Sequence, residues 1–138
     1  MLALLKKNKG AIVNIGSKVS LTGQGGTSAY AAACGGRNAL TREWAVELLP
    51  FSVRVNAVMV AESFTPLYKK WIDTFSNPKQ KISQIENKIP FEKRMTKPEE
   101  IANTVAFLLS KKSSHTTGQL LFVDGGYVHL DRSLNTLS

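Results

Sequence analysis

Lys9-Gly10-Ala11-Ile12-Val13-Asn14-Ile15-Gly16-Ser17 is a short apolar, β-branched run set between glycines, the pattern of a strand buried on both faces of a parallel sheet. Ser52-Val53-Arg54-Val55-Asn56-Ala57-Val58-Met59-Val60 repeats it, and Gln119-Leu120-Leu121-Phe122-Val123-Asp124, closed by Gly125-Gly126, is a third run. Between the first two, the spacing predicts a helix over about residues 28–49. Ala33, Leu40, Trp44 and Leu48 fall on one stripe of it, and Pro50 stands just beyond its end, where a residue without an N–H cannot continue the ladder. Strand, helix and strand of these lengths make a right-handed crossover unit. The expected class is therefore α/β: a doubly wound parallel sheet of about three strands with flanking helices.

Working outward, Leu2 to Lys7 is a stub of helix before the first strand. Thr65-Pro66 opens another helix, because proline fits a first turn whose N–H groups have no partner anyway. Thr96-Lys97-Pro98-Glu99 reads as a capping box, with Thr96 and Glu99 satisfying reciprocal backbone donors, before a helix through Ile101, Val105 and Leu108 to about Ser110. Residues 76–93 are expected to hold one short helix with loops, placed to cover a substrate. The polar tail over residues 131–138 is expected to be mobile. Three strands are few for a parallel sheet, so one of them should present an unpaired edge unless another segment or chain covers it. The chain reads as one domain over residues 1–138, and as the carboxy-terminal half of a larger sheet.

Composition narrows the class. With 138 residues and 43% hydrophobic composition, a single domain can bury about two thirds of its unfolded surface. The opening Met1-Leu2-Ala3-Leu4-Leu5 is too short for a signal sequence, and no apolar run is long enough to span a membrane. The single Cys34 cannot form an intramolecular disulfide, and His115 and His129 stand apart from other ligand residues, so neither a disulfide framework nor a metal site is expected. A reducing cytoplasm fits. The net charge of +8 suggests nucleic acid, but most of the excess lies between Lys69 and Lys97. There the lysines alternate with Ile82, Ile85, Ile89 and Phe91 at helical spacing, as on a solvated amphipathic face. We read no nucleic-acid or membrane partner.

Ser17 lies at the carboxyl end of the first strand, Tyr30 thirteen residues on, and Cys34 four residues further. Interconverting an alcohol and a ketone requires a proton to move at oxygen while a hydride moves at carbon. A tyrosine hydroxyl can carry that proton, but a reference pKa near ~10 makes it a poor base at neutral pH. A cation at i+4 shares its helix face and favours the phenolate, while a serine at the strand end holds the substrate oxygen from the other side.

An upstream Ser followed by Tyr-x-x-x-Lys resembles the active site of the short-chain dehydrogenase/reductase family. The resemblance continues through Asn14-Ile15-Gly16-Ser17, Arg54-Val55-Asn56-Ala57-Val58, Lys97-Pro98-Glu99-Glu100-Ile101-Ala102, Phe107-Leu108-Leu109-Ser110, Gly118-Gln119 and Val123-Asp124-Gly125-Gly126. It covers essentially the whole chain and implies a Rossmann-like fold. Residues 60–68 and 126–132 further resemble sugar dehydrogenases of the L-fucose type. The resemblance implies NAD or NADP as cofactor, a small alcohol or sugar as substrate, and a homo-oligomer formed through the residue 28–49 helix. It places Ser17 and Tyr30 in catalysis, Cys34 in the position of the family lysine, and Tyr30, Ala61, Ser63 and Thr65 against the cofactor.

The chain departs from the family at defined points. The lysine position holds Cys34, Val60-Ala61 replaces the usual Pro-Gly, and the Gly-rich pyrophosphate turn, the NAD/NADP selector and the catalytic asparagine are not in this sequence. These departures imply a truncated chain that is inactive alone; the alternative is a non-catalytic relic or oligomerising module. Lys18 and Arg37 are the nearest replacement cations. Cys34 itself reads as a small buried thiol, Asp124-Gly125-Gly126 as a turn, Trp44 and Trp71 as core or interface anchors, and Gly23, Gly25 and Gly26 as a flexible loop.

Overall fold

The computed structural model describes residues 1–131; the polar tail expected to be mobile lies, apart from Asp131, outside the described residues. The elements are α1 (Leu2–Lys7), β1 (Ala11–Ser17), α2 (Ser28–Glu47), β2 (Arg54–Val60), α3 (Pro66–Ile72), α4 (Pro78–Glu86), α5 (Pro98–Leu109) and β3 (Leu120–Val123). The three strands form one parallel sheet in the order β1-β2-β3, with Ala11 opposite Arg54, Ser17 opposite Val60, and Val60 opposite Val123.

Because β2 is central, Val55, Asn56, Ala57, Val58 and Met59 are all fully buried. Asn56 keeps its amide satisfied there, donating to Thr116 O at 2.8 Å and accepting from Gln119 N at 3.1 Å. The two outer strands correct the reading of three doubly buried runs. β1 and β3 are only partly covered, and Ile15 is 47% exposed, because each has a neighbour on one side only among the described residues. On the outer side of β1, the Ile15 carbonyl accepts from Arg37 Nη1 at 2.8 Å, so a guanidinium from α2 blunts part of the open edge.

Alternation along the strands puts helices on both faces. Leu5, Ile12, Trp44, Ala45, Leu48, Val53 and Val55 pack together on the α1/α2 face. On the other face Arg54 clamps the end of α5, donating to Leu108 O at 2.7 Å, Ser110 O at 3.1 Å and Ser113 Oγ at 2.9 Å. The buried stripe of α2 is Cys34, Asn38, Thr41, Ala45 and the adjoining Leu48, while Ala33 and Leu40 face outward, which corrects the predicted stripe by one residue. Polar groups set that register: Asn14 Nδ2 donates to Thr41 Oγ1 at 2.9 Å across the α2–β1 contact. Beyond α2 a short 3-10 turn at Leu49–Phe51 and a left-handed Ser52, φ 55°, turn the chain into β2.

The cap of α5 also shifts by one position. Glu100, not Glu99, accepts from the N-cap nitrogen, here of Lys97, at 2.8 Å. Thr96 is instead tied to the site loop, donating its own N–H to Glu62 O at 3.0 Å.

Candidate active site

The turns at the carboxyl ends of β1 and β2, with the first turn of α2, enclose the region where the sequence motifs converge. Ser17 ends β1 and is buried; its Oγ accepts from Val19 N at 3.4 Å in the 3-10 turn Lys18–Ser20. Ser20 Oγ closes that turn on Ser17 O at 2.8 Å and accepts from Asn38 Nδ2 at 2.8 Å, so α2 fixes where Ser17 sits. Gly16 permits this close approach. A Cβ there would stand 2.4 Å from Met59 Sδ and 3.4 Å from Asn38 Oδ1.

A cavity of ≈ 380 Å³ is lined by Ile15, Gly16, Ser17, Tyr30, Val60, Ala61, Ser63, Thr65, Tyr68, Pro98 and Ile101. Five of the six candidate residues, Ser17, Tyr30, Ala61, Ser63 and Thr65, are therefore walls of one space. Cys34 is not. Tyr30 overhangs the end of the sheet in the first turn of α2 and is 53% exposed, whereas Cys34, one turn later, is fully buried on the sheet-facing stripe. The two replacement cations are also engaged elsewhere: Lys18 pairs with Glu62, and Arg37 holds the Ile15 carbonyl.

Ser63 is buried, and its hydroxyl has no hydrogen-bond partner among the described residues. A buried orphan hydroxyl is costly unless something outside the protein uses it. The small Ala61 and Thr65 line the same cavity as Ser63. Thr65 has a structural duty too, since its Oγ1 accepts from Tyr68 N at 3.2 Å as N-cap of α3.

Residues to which the sequence assigned no catalytic or cofactor role form a second space beside the first. A cavity of ≈ 540 Å³ is lined by Gln24, Gly25, Thr27, Glu62, Tyr68, Trp71, Lys81, Ile85, Lys88 and Tyr127. Tyr68 belongs to both cavities. The Glu62 carboxylate receives Lys18 Nζ on Oε1 and the Tyr68 hydroxyl, at 2.7 Å, on Oε2. Lys18 Nζ also lies 4.0 Å from the centre of the Tyr127 ring. Burial first, and the Glu62 hydrogen bond and charge next, hold the Tyr68 phenol far above its ordinary pKa, so it remains a donor. Trp71, expected as a core or interface anchor, lies outside the core at 45% exposure and stacks edge-on between Tyr68 and Phe75, with centroids 5.2 and 5.0 Å away. The only sequence signal for this cavity is spacing: Tyr68 and Trp71 share a face of α3, six and nine residues beyond Glu62.

Asp124 makes a turn, accepting from Gly126 N at 2.8 Å and Val128 N at 3.0 Å. Among the described residues no group of three His, Cys, Asp or Glu is disposed to hold a metal ion, and no helix is long and apolar enough to cross a membrane.

Three comparisons place this geometry among known proteins. A family profile described as Enoyl-(Acyl carrier protein) reductase matches residues 1–128. Among curated relatives, 3-oxoacyl-[acyl-carrier-protein] reductase FabG of Thermotoga maritima is 38% identical over 91% of this chain and 48% of its own length. L-xylulose reductase of Bos taurus is 39% identical over 86% of this chain and 47% of its own. The crystal structure of Cj0485 dehydrogenase superposes with a TM-score of 0.93 at 54% identity, over 96% of this chain and 51% of that one. The chain thus spans about half the length of the curated relatives it matches.

Proposed function

Because this chain belongs to the short-chain dehydrogenase/reductase family, we propose that it carries the substrate-oxygen side of an NAD(P)-dependent oxidoreductase site that interconverts an alcohol or sugar hydroxyl and its carbonyl. One observation carries this reading: Ser17, Tyr30, Ala61, Ser63 and Thr65 line a single cavity at the carboxyl ends of β1 and β2. When bound, the nicotinamide supplies or accepts a hydride at the substrate carbon. Ser17 holds the substrate oxygen by hydrogen bond, the Tyr30 hydroxyl moves the proton at that oxygen, and Ser63 and Thr65 hold the nicotinamide end. No strand-to-helix turn of this sequence has the Gly-rich pattern that cradles a pyrophosphate, and Cys34 places no charge beside Tyr30. On its own the chain is inactive in this reading.

The test is a chimera in which this chain follows the amino-terminal half of a full-length active relative. A charge ~4 Å from the phenol in an effective dielectric of ~20 is worth up to about 4 kcal/mol. The exposure of Tyr30 reduces this to about 2–3 kcal/mol, or roughly a hundredfold in rate. Cys34→Lys should raise chimera turnover by about that factor, and Tyr30→Phe should abolish the gain. Equal turnover with Cys34 and with the lysine would overturn the reading.

A second reading, a non-catalytic chain that self-associates, is favoured by the outward strip of α2. Ala33, Gly36 and Leu40 are exposed there, Leu40 by 43%. A homo-oligomer through this strip is compatible with either reading. Analytical ultracentrifugation should show a dimer that Leu40→Glu dissociates; a wild-type monomer would exclude the contact.

A further inference from the structure

The ≈ 540 Å³ cavity shares Tyr68 with the space that Ser17 and Tyr30 line, and its charges are unbalanced. Lys81, Ile85 and Lys88 all line it. Spacings of four and three residues put them on one helical face, which the Lys88 N–H prolongs past the end of α4 by donating to Ile85 O at 3.0 Å. Among the described residues neither Lys81 nor Lys88 makes an ion pair, and Lys81 Nζ rests over the Phe75 ring, 4.8 Å from its centre.

Glu62 is the one acid in this wall among the described residues. Each of its oxygens is already engaged, one by Lys18 Nζ and the other by the Tyr68 hydroxyl. Lys18 thus neutralises Glu62 from outside the lining, and the charge left facing the cavity is that of two ammonium groups. An ammonium offers three N–H donors and no acceptor. A hydroxyl can accept from it but returns no charge, and a cation is repelled. A carboxylate or phosphate supplies both acceptor and charge. The rings of Trp71 and Tyr127, in the same wall, give apolar surface for a carbon frame. Thr27 is in that wall too, three residues before Tyr30.

We infer that Lys81 and Lys88 form a specificity site for an anionic substrate, a hydroxy acid or a phosphorylated alcohol, and bind its carboxylate or phosphate at a distance from the hydroxyl that reacts. The inference rests on the oxidoreductase reading, in which Ser17 and Tyr30 receive that hydroxyl in the adjoining space.

Two tryptophans report the outcome, since Trp71 lines this cavity and Trp44 lies in the α1/α2 core. The indole N–H signals of the ¹⁵N-labelled full chain are followed by NMR at physiological ionic strength during titration with two matched pairs, glucuronate against glucuronamide and glucose 6-phosphate against glucose. Within each pair the frame is kept and the charge is changed. At least one anion should shift Trp71, leave Trp44 in place, and bind about five- to thirtyfold tighter than its neutral partner, the combined value of two partly solvated ion pairs. Which anion gains more tells carboxylate from phosphate. Lys81→Gln with Lys88→Gln should remove the advantage, while Lys79→Gln, an exposed residue of α4 outside the lining, should keep it. The comparison on the unmodified chain stands even if the double variant unfolds. Neutral partners that bind as tightly as both anions, a Trp71 signal that no ligand moves, an advantage that survives the double substitution, or an equal loss with Lys79→Gln would each overturn the inference. Failure of the oxidoreductase reading looks different: the anion still shifts Trp71 selectively, while Tyr30→Phe leaves chimera turnover unchanged.

Discussion

Removing the charge of Glu62 should destabilise the chain measurably, and the structure sets the size. The Lys18–Glu62 pair joins the turn after β1 to the loop after β2, with both side chains largely out of water. Breaking a buried pair by deleting one partner generally costs 3–5 kcal/mol, because the remaining ion is left without compensation. Here Glu62 borders a cavity and the Tyr127 ring still faces Lys18, so water and the ring recover part of that. We expect Glu62→Gln to lose about 2–3 kcal/mol, or roughly 8–12 °C in Tm for a domain of this size. The double variant Lys18→Met/Glu62→Gln should lose less than the sum of the singles, with a coupling of about 1.5–2 kcal/mol in a double-mutant cycle. The assay is urea denaturation of the four proteins with a shared m-value. A single variant within about 0.5 kcal/mol of wild type, with additive singles, would show that the pair holds nothing together.

Two further outcomes follow from separate parts of the fold. Gly16→Ala should cost about 1–3 kcal/mol as Met59 is displaced from a fully packed position, measurable by the same urea method; a neutral substitution would show that the β1–α2 approach is loose. Arg94 holds the Glu100 carboxyl down to about 2, chiefly by its side-chain hydrogen bonds and next by the Lys97 N–H. A depressed folded-state value contributes stability that is present above the unfolded carboxylate range and lost as pH falls through about 2. Tm should therefore decline on acidification from pH 5 to pH 2 by more in wild type than in Glu100→Gln, and parallel declines would remove Glu100 from the account.

The strands and the crossover helix were legible because each depends on local pattern, β-branched runs between glycines and a proline past a helix end; Ser17 and Tyr30 were singled out by the family resemblance, and the fold sets both in the wall of one cavity. What was not legible depends on position in the sheet or on long-range partners. Ile12 and Val58 have the same chemistry, yet only the strand with two neighbours is fully buried along its middle, from Val55 to Met59. The face of α2 was misassigned because Thr41 and Asn38, polar and unpromising as core, turn inward to meet Asn14 and Ser20. Glu100 displaced Glu99 at the α5 cap because Arg94 also reaches it, at 2.7 and 3.0 Å. Glu62 and Lys18 are 44 residues apart, and no periodicity announces a pair at that separation.

Tyr68 is a party wall. Its side chain borders both the cavity that Ser17 and Tyr30 line and the one beside it, and its hydroxyl is tethered to the Glu62 carboxylate. A ligand that draws Glu62 toward itself tugs on that tether, and the ring cannot give ground on one side without taking it on the other. Any coupling between occupancy of the two rooms is mutual: whatever a ligand in one does to the grip of the other is returned in equal measure.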